Sequence, residues 1–352
     1  DAGSKMIGLS ATTEDKVLFE AEVDLRNDIT KLLADRRSLR RTRRSRKTRY
    51  RKARFLNRKK SKGWLAPSIR NKIDTHIKVV GMVHKLLPIS KVIVEVAQFD
   101  IQKIKNPEIE GKEYQQGEQM GFWNVREYVF YRDGHKCQHC KNKSKDKILN
   151  VHHIESRKTG GDAPNNLITL CKTCHNDFHS GKIELKAKRG QSFRDASCMN
   201  IMRWFLWDKL KELYPNSKLT YGYVTKNTRI KHGLEKSHRT DARCISGNPL
   251  AKPLEAWYFY KQVRVQNRKL HRSVPKKGGV RQATKAPKYV YDFQLFDKVL
   301  YEGQECFIFG RRVSGYFDLR RLDRTKVRSH ARCGVLMLLN RSNTLLCERR
   351  VA

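Results

Sequence analysis

Apolar and polar positions alternate near the start of the chain. After a short small-residue run from Met6 to Ala11, the residues Val17, Phe19, Ala21 and Val23 take every second place. That period predicts two strands, and the polar stretch Thr12 to Asp15 predicts the turn that joins them as a hairpin. From about Asp28 to Lys60 there is neither Gly nor Pro, and no apolar stripe. Within Arg36 to Lys60, fifteen of twenty-five residues are Lys or Arg, spread over every face. Such a helix has nothing to dock on a core, and like charges four residues apart oppose it, so it needs phosphates around it. A disordered basic tail is the competing reading. Leu39, Tyr50, Phe55 and Leu56 within the run, and structured sequence on both sides, favour a bridging helix bound to nucleic acid.

Further on, Ile69, Ile73, Ile77, Val80 and Val83 recur at spacings of three and four. They predict an amphipathic helix over 67–87 that starts at Pro67 and stops before Pro88. The run Lys91 to Ala97 reads as a buried strand with one acid, and residues 105–122 as a polar linker. Residues 123–180 form a compact Cys/His module, and 181–196 a second, basic linker. A helix over 198–213 carries Met202, Phe205, Leu206, Leu210 and Leu213 on one side. A strand from Leu219 to Val224 and a short helix from about Thr240 follow. After about residue 250 short strands and turns at Gly303, Gly310 and Gly315 predict an all-β terminal domain.

Charge narrows the partner. Against 35 acidic residues stand 76 Lys and Arg, a formal charge of +41. At that charge a compact chain repels itself unless a polyanion binds, and nucleic acid gains from counterion release. A membrane surface is the competing partner, but the chain shows no apolar run near ~18 residues and no amphipathic anchor. No targeting segment is visible, which points to the cytoplasm and association with the nucleoid. Four of the nine Cys form two C-x-x-C pairs, which implies a reducing compartment and zinc rather than disulfides. Cys198, Cys244, Cys306, Cys333 and Cys347 are scattered and read as small buried residues.

Cys137, Cys140, Cys171 and Cys174 can close one tetrahedral structural Zn²⁺ site; His139, inside the first knuckle, is a bystander. The zinc leaves His152-His153 unexplained, as well as His175 and His179, which lie one helical turn apart. His152, His175 and His179 could hold a divalent metal, with His153 on the other strand face free to accept a proton. Metal-assisted phosphodiester hydrolysis needs that division of labour. Four structural histidines are the plainer alternative. The segment from Asp133 to His179 (DGHKCQHC, VHHI, GGDAPNNLITLCKTCHNDFH) resembles the HNH, or ββα-metal, nucleases. The resemblance implies His153 as general base, His152, His175 and His179 as Mg²⁺ ligands, and Asn166, with Asn165 adjacent, as the residue that fixes the loop.

A second centre rests on carboxylates. Asp1 precedes the first strand, Glu95 interrupts a buried strand, and Asp241 lies three residues after His238. A buried Glu is costly unless paired or bound to metal. Singly, Asp1 could be an exposed terminus and Asp241 a helix cap. Together DAGSKMIG, VIVEVAQFD and SHRTDARCIS resemble the three motifs of a RuvC-type RNase H fold. That likeness implies two Mg²⁺ held by Asp1, Glu95 and Asp241, with His238 as helper. It also implies an apolar strand, upstream of Asp1, that completes the site.

The order of these parts is similar to that of the IscB family of transposon-encoded, RNA-guided nucleases. GWLAPSIRNK and FDKVLYEGQECFIFGRR fit it too. The resemblance implies an α+β multidomain fold, a RuvC-type mixed sheet split in sequence. Its parts would be 1–27, 63–104 and 197–250, with a bridging helix at 28–62, an HNH finger at 123–180 and a C-terminal β-rich domain at 251–352. It implies HNH cutting of the guide-paired DNA strand, RuvC-type cutting of the displaced strand, and a terminal domain that reads a motif beside the double-stranded target. Arg311, Arg312, Arg320 and Arg321 are candidates for that reading by charge alone. Arg36, Arg37, Arg40, Arg41, Arg43, Arg44, Arg46, Lys47, Arg49, Arg51 and Arg54 would hold nucleic acid. Only about thirty residues separate the basic helix from Glu95. A large structured guide RNA, one protein per RNA, would therefore supply the bulk around the guide–target duplex. A non-cleaving RNA-binding scaffold and a protein-guided HNH homing endonuclease are the alternatives.

Overall fold

The computed structural model describes residues 1–47, 61, 63–190, 192–264, 266 and 287–351, with backbone alone at 42–47, 158 and 159. The chain forms two compact units, one of residues 1–98 with 198–352 and one of residues 99–197. Among the described residues no helix is long and apolar enough to cross a membrane.

The larger unit opens with strands β1 (Met6–Thr12) and β2 (Val17–Asp24), antiparallel from Met6 opposite Asp24. Helix α1 (Ile29–Lys47) follows, then α2 (Pro67–Leu86) and β3 (Val92–Glu95). The residues at spacings of three and four in α2 serve two cores. Ile73 packs with Val94 and Ala2, whereas Val79 and Val83 pack with Phe19, Ala21 and Val23 behind the first sheet. Pro67 opens this helix, and the Leu87 N–H closes it on the Val83 carbonyl.

The smaller unit contains α3 (Ile101–Lys105), α4 (Val125–Arg132), β4 (Leu149–His153), α5 (Arg157–Gly160), β5 (Leu167–Cys171) and α6 (Lys172–His179). Strands β4 and β5 are antiparallel, with His152 opposite Ile168.

The chain then returns to the larger unit with α7 (Arg194–Leu213), β6 (Ser217–Thr220), α8 (Gly222–Lys231), α9 (His238–Ser246) and β7 (Ala256–Gln262). Met199, Met202, Leu206 and Leu210 of α7 are buried, while Phe205 and Leu213, expected beside them, face outward. Strand β6 ends at Thr220, not Val224, because Tyr221 becomes the N-cap of α8 and the chain turns helical. Strands β3 and β6 are parallel, Glu95 opposite Thr220.

The last elements are β8 (Lys298–Tyr301), β9 (Gln304–Arg311), β10 (Tyr316–Arg320), β11 (Lys326–Arg332), β12 (Met337–Asn340) and β13 (Leu345–Val351). Strands β8 to β12 make a five-stranded antiparallel sheet in the order β11-β10-β9-β8-β12. Strands β7 and β13 behave otherwise. They extend the first sheet to β1-β2-β7-β13, with β7 parallel to β2, so 251–352 does not stand apart as one β domain. Phe259, Leu346 and Phe307, joined in one core cluster, make this recruitment favourable by apolar burial.

Candidate active site

In the smaller unit, the four thiols of Cys137, Cys140, Cys171 and Cys174 lie within 4.8 Å of one another. The Cys140 and Cys171 sulfurs are 3.8 Å apart. Four thiolates about 2.3 Å from one ion stand about 3.8 Å apart along each tetrahedral edge, so the donor set fits Zn²⁺. His139 is not part of the cluster. Burial pushes the Cys137 and Cys174 thiols up. For Cys140 burial also raises the thiol, but hydrogen bonds from Ser144 and the neighbouring thiols outweigh it and bring it to about 6.

Cys171 ends β5 and caps α6, its sulfur accepting from the Cys174 N–H. The zinc knuckle therefore sets the start of the helix that presents His175 and His179 to β4. Their ring nitrogens and that of His152 converge within 4.8 Å. Ring centroids stand 5.2 Å apart for His152 with each partner and 4.6 Å for His175 with His179. Phe178 meets the His152 ring edge-on at 4.6 Å and completes its packing.

His152 is buried, and its Nε2 has no hydrogen-bond partner. Burial, then the neighbouring His175, His179 and His153, lower it to about 4; burial also lowers His175. His152 and His175 thus tend to keep their lone pairs, as metal binding requires. An orphaned buried nitrogen facing two more fits a divalent cation. Three imidazoles suit a borderline ion such as Zn²⁺ or Ni²⁺ better than hard, oxygen-seeking Mg²⁺.

His153 points to the other strand face and is half-exposed. Its Nε2 lies 2.8 Å from Asp162 Oδ1. A carboxylate only accepts, so Nε2 carries the hydrogen and the lone pair sits on Nδ1. Arg157 in turn holds Asp162 at 2.7 Å. Hydrogen bonds from His153 and Arg157 keep the Asp162 carboxyl below the usual range. Sequence reasoning missed Asp162; its signal was an acid directly after Gly160-Gly161 in the loop between the two strands.

Asn166 is fully buried. Its Oδ1 accepts from the Glu155 N–H at 2.8 Å, and its Nδ2 donates to the Glu155 and Gly161 carbonyls at 3.0 and 2.9 Å. The amide closes the loop 155–165 on itself. Gly160 leaves it room, since a Cβ there would come within 2.2 Å of Asn166 Nδ2.

In the larger unit, Gly8 lets α9 ride directly on β1, because a Cβ would stand 1.9 Å from the His238 carbonyl oxygen. That contact brings His238 to Asp1, Nδ1 to Oδ2 at 2.5 Å. Asp241 in the first turn of α9 lies 2.9 Å from Arg229 Nε. Glu95 ends β3 and accepts from Thr225 Oγ1 at 2.5 Å. Asp1, Glu95 and Asp241 all belong to this unit. Their oxygens do not converge as the expected metal cluster, for among the described residues only the thiol and imidazole sets lie within 4.8 Å. Each carboxylate instead pairs with a separate partner, His238, Thr225 or Arg229. Oxygen donors of this kind suit Mg²⁺ by type.

Of the basic residues, Arg36, Arg37, Arg40 and Arg41 are exposed on α1. The backbone of Arg43, Arg44, Arg46 and Lys47 continues that helix, and Arg49, Arg51 and Arg54 lie outside the described residues. Arg320 is held by Asp318 at 2.7 and 2.9 Å, and Arg311 donates to the Lys288 carbonyl, so neither is idle.

Two family models match. One, described as RRXRR protein, covers residues 1–117, where Arg40-Arg41-Thr42-Arg43-Arg44 spells its namesake. The other, HNH endonuclease, covers residues 137–181. No curated protein matches the chain. Among solved structures, Streptococcus thermophilus Cas9 complexes with AGAA, GGAA and AGGA PAMs are similar at 14%, 15% and 14% identity. Their TM-scores are 0.39, 0.36 and 0.36, over 59%, 59% and 60% of this chain. The chain spans 30–31% of the length of those proteins. The thiol cluster, the imidazole cluster and His153 all fall in the HNH match, and an HNH endonuclease domain supports a nuclease.

Proposed function

We propose that the chain is an RNA-guided DNA endonuclease of the IscB type. One observation carries the nuclease reading: three imidazoles converge beside a histidine whose proton-accepting nitrogen is fixed by Asp162. His152, His175 and His179 would hold a divalent cation, which when bound supplies a Lewis acid for the scissile phosphate. His153 Nδ1 takes the proton of the attacking water. Asp162 keeps the ring in the tautomer that can do so and stabilises the imidazolium that results. Asn166 holds the loop that carries Asp162 in register with β4.

The second centre would cut the displaced strand, with Asp1, Glu95 and Asp241 around Mg²⁺ and His238 as helper. Guide RNA would be gripped by the basic helix, supported by the charge of +41 and the RRXRR match. The sheet formed by β8 to β12 would read the flanking duplex. The HNH match supports a second reading, a nuclease that cuts with HNH alone.

The test isolates the protein with its co-purifying RNA, sequences that RNA, and follows each strand of a matched duplex on denaturing gels. His153→Ala should slow the guide-paired cut by about 10²–10⁴-fold and spare the other. Glu95→Ala and Asp241→Ala should do the reverse. If these two variants cut both strands like the parent, the HNH-only reading stands. Sequence-specific cutting by RNA-free protein would replace the guide with a protein-read site.

A further inference from the structure

Strands β3 and β6 run parallel and end together, Glu95 opposite Thr220, and the C-terminal ends of parallel strands are where such sheets bind ligands. The next residues begin α8, and its first turn closes over the carboxylate. A Cβ on Gly222 would stand 3.1 Å from Glu95 Oε1, and Thr225 donates to Glu95 Oε2. Tyr221 and Tyr223 flank that glycine. Both are exposed, by 46% and 68%, and their rings are stacked, with 10° between the planes and 6.2 Å between centroids. Lys218 before them and Lys226 after them are exposed as well.

A solvent-facing tyrosine pair needs a reason. Single exposed aromatics are ordinary. Two parallel rings, one residue to either side of the glycine on Glu95 and between two lysines, are not a scatter. Aromatic faces recognise bases only where the bases are unstacked, since a duplex hides them, and lysines beside the rings suit the phosphates of the same strand. A protein partner would leave the lysines and the adjacent carboxylate centre without a role.

We propose that Tyr221 and Tyr223 form a base-stacking platform that seats single-stranded DNA at the mouth of the carboxylate centre. The proposal rests on the reading of Asp1, Glu95 and Asp241 as the centre that cuts the displaced strand. The rings hold the strand by its bases and set which phosphate reaches Glu95. They are substrate-binding residues and take no part in proton transfer.

The experiment uses the full chain with its co-purifying RNA. A matched duplex carries one 2-aminopurine, stepped through the displaced strand, with chelator present to hold cutting off. Stacking on the rings should quench the fluorophore at one or two neighbouring positions. Tyr221→Ala/Tyr223→Ala should restore the signal there, and Tyr221→Phe/Tyr223→Phe should keep the quench. With metal added, the alanine pair should slow the displaced-strand cut by about tenfold or more. The guide-paired cut on the same molecules should hold as the internal control. No quench at any position in the parent protein would overturn the proposal, even if the alanine pair fails to fold. So would a phenylalanine pair as impaired as the alanine pair, which would assign the role to the hydroxyls, or quenching of a 2-aminopurine in the RNA in place of the DNA. Glu95→Ala separates the two levels. If it still cuts the displaced strand, the centre itself was misread. If it abolishes that cut while the alanine pair behaves like the parent, only the platform falls.

Discussion

In the unit of residues 99–197, the ring nitrogens of three histidines converge within 4.8 Å. In the other unit, Asp1, Glu95 and Asp241 have each taken a different partner. The difference follows from the donors. Neutral imidazoles lose little by crowding, and burial keeps His152 neutral down to about pH 4. Carboxylates crowd only around a cation. Scaffold matters too. His152, His175 and His179 come from one short segment, and a four-thiol knuckle fixes the helix that carries two of them. The acids come from β3, α9 and the chain start, and only long-range packing brings them near one another. One centre is built from one local segment; the other is assembled from distant parts of the chain.

The comparison breaks most sharply at the zinc knuckle. Cys171→Ser removes a thiolate from the closed site and the sulfur that caps α6, and structural zinc sites carry about 10 kcal/mol or more of folding free energy. The smaller unit should lose its fold and the guide-paired cut should vanish. The larger unit should keep its melting transition and the displaced-strand cut. Metal analysis of the purified parent checks the cause: one tightly held zinc per chain is expected, and active protein without zinc would refute it.

Asn166→Ala tests whether the loop or the metal positions the base. Three hydrogen bonds disappear and the Glu155 N–H is left without its acceptor, at about 1–3 kcal/mol per stranded buried group. The smaller unit should still bind metal, because the imidazoles are untouched, while the guide-paired cut slows by about tenfold to a hundredfold. Loss of metal affinity in equal measure would show that the loop and the imidazole centre are one structure.

Metal exchange sharpens the contrast further. After chelation, Ni²⁺ should restore the guide-paired cut at concentrations at least about tenfold below those needed with Mg²⁺, since three imidazoles prefer borderline ions. The displaced-strand cut should favour Mg²⁺ or Mn²⁺ over Ni²⁺. An identical ranking for both strands would mean that one kind of site makes both cuts.

These outcomes also mark what the sequence could disclose. Period two along Val151, His152 and His153 put the ligand and the base on opposite faces, and the spacing of His175 and His179 put two ligands on one helix face. Both are local relations. The placement of β7 and β13 beside β2 was not legible, since strand pairing across the chain leaves no periodic trace. Asp162 escaped because a loop acid gains meaning only when its partner His153 is seen 2.8 Å away. The β6 boundary slipped because Leu219 to Val224 is apolar enough to extend a strand, and the Glu95 carboxylate, which sits against Gly222, is invisible in the local pattern.

The smallest expected effect sets two buried histidines against each other. His76 on α2 resembles His152 in burial and in an Nε2 without a partner. Its Nδ1 lies 2.8 Å from the Lys72 carbonyl oxygen, which only accepts, so Nδ1 carries the hydrogen and Nε2 the lone pair. Burial lowers His76 to about 4; the Lys72 carbonyl opposes that, and the Lys72 charge assists it. Here the folded value lies below the ordinary 6.5. Between pH 6.5 and 4 the unfolded chain binds the extra proton, so stability is complete above 6.5 and falls as the pH drops toward 4. A step from 6.5 to 5.5 should cost about 1 kcal/mol. Amide exchange in α2, corrected for its intrinsic pH dependence, should report that loss, and His76→Leu should flatten it. A divalent cation should leave α2 unchanged but protect the amides of β4 and α6 against acid, because His152 has two imidazoles to share an ion with and His76 has none within reach among the described residues. Protection of α2 by the same cation would place a metal at His76.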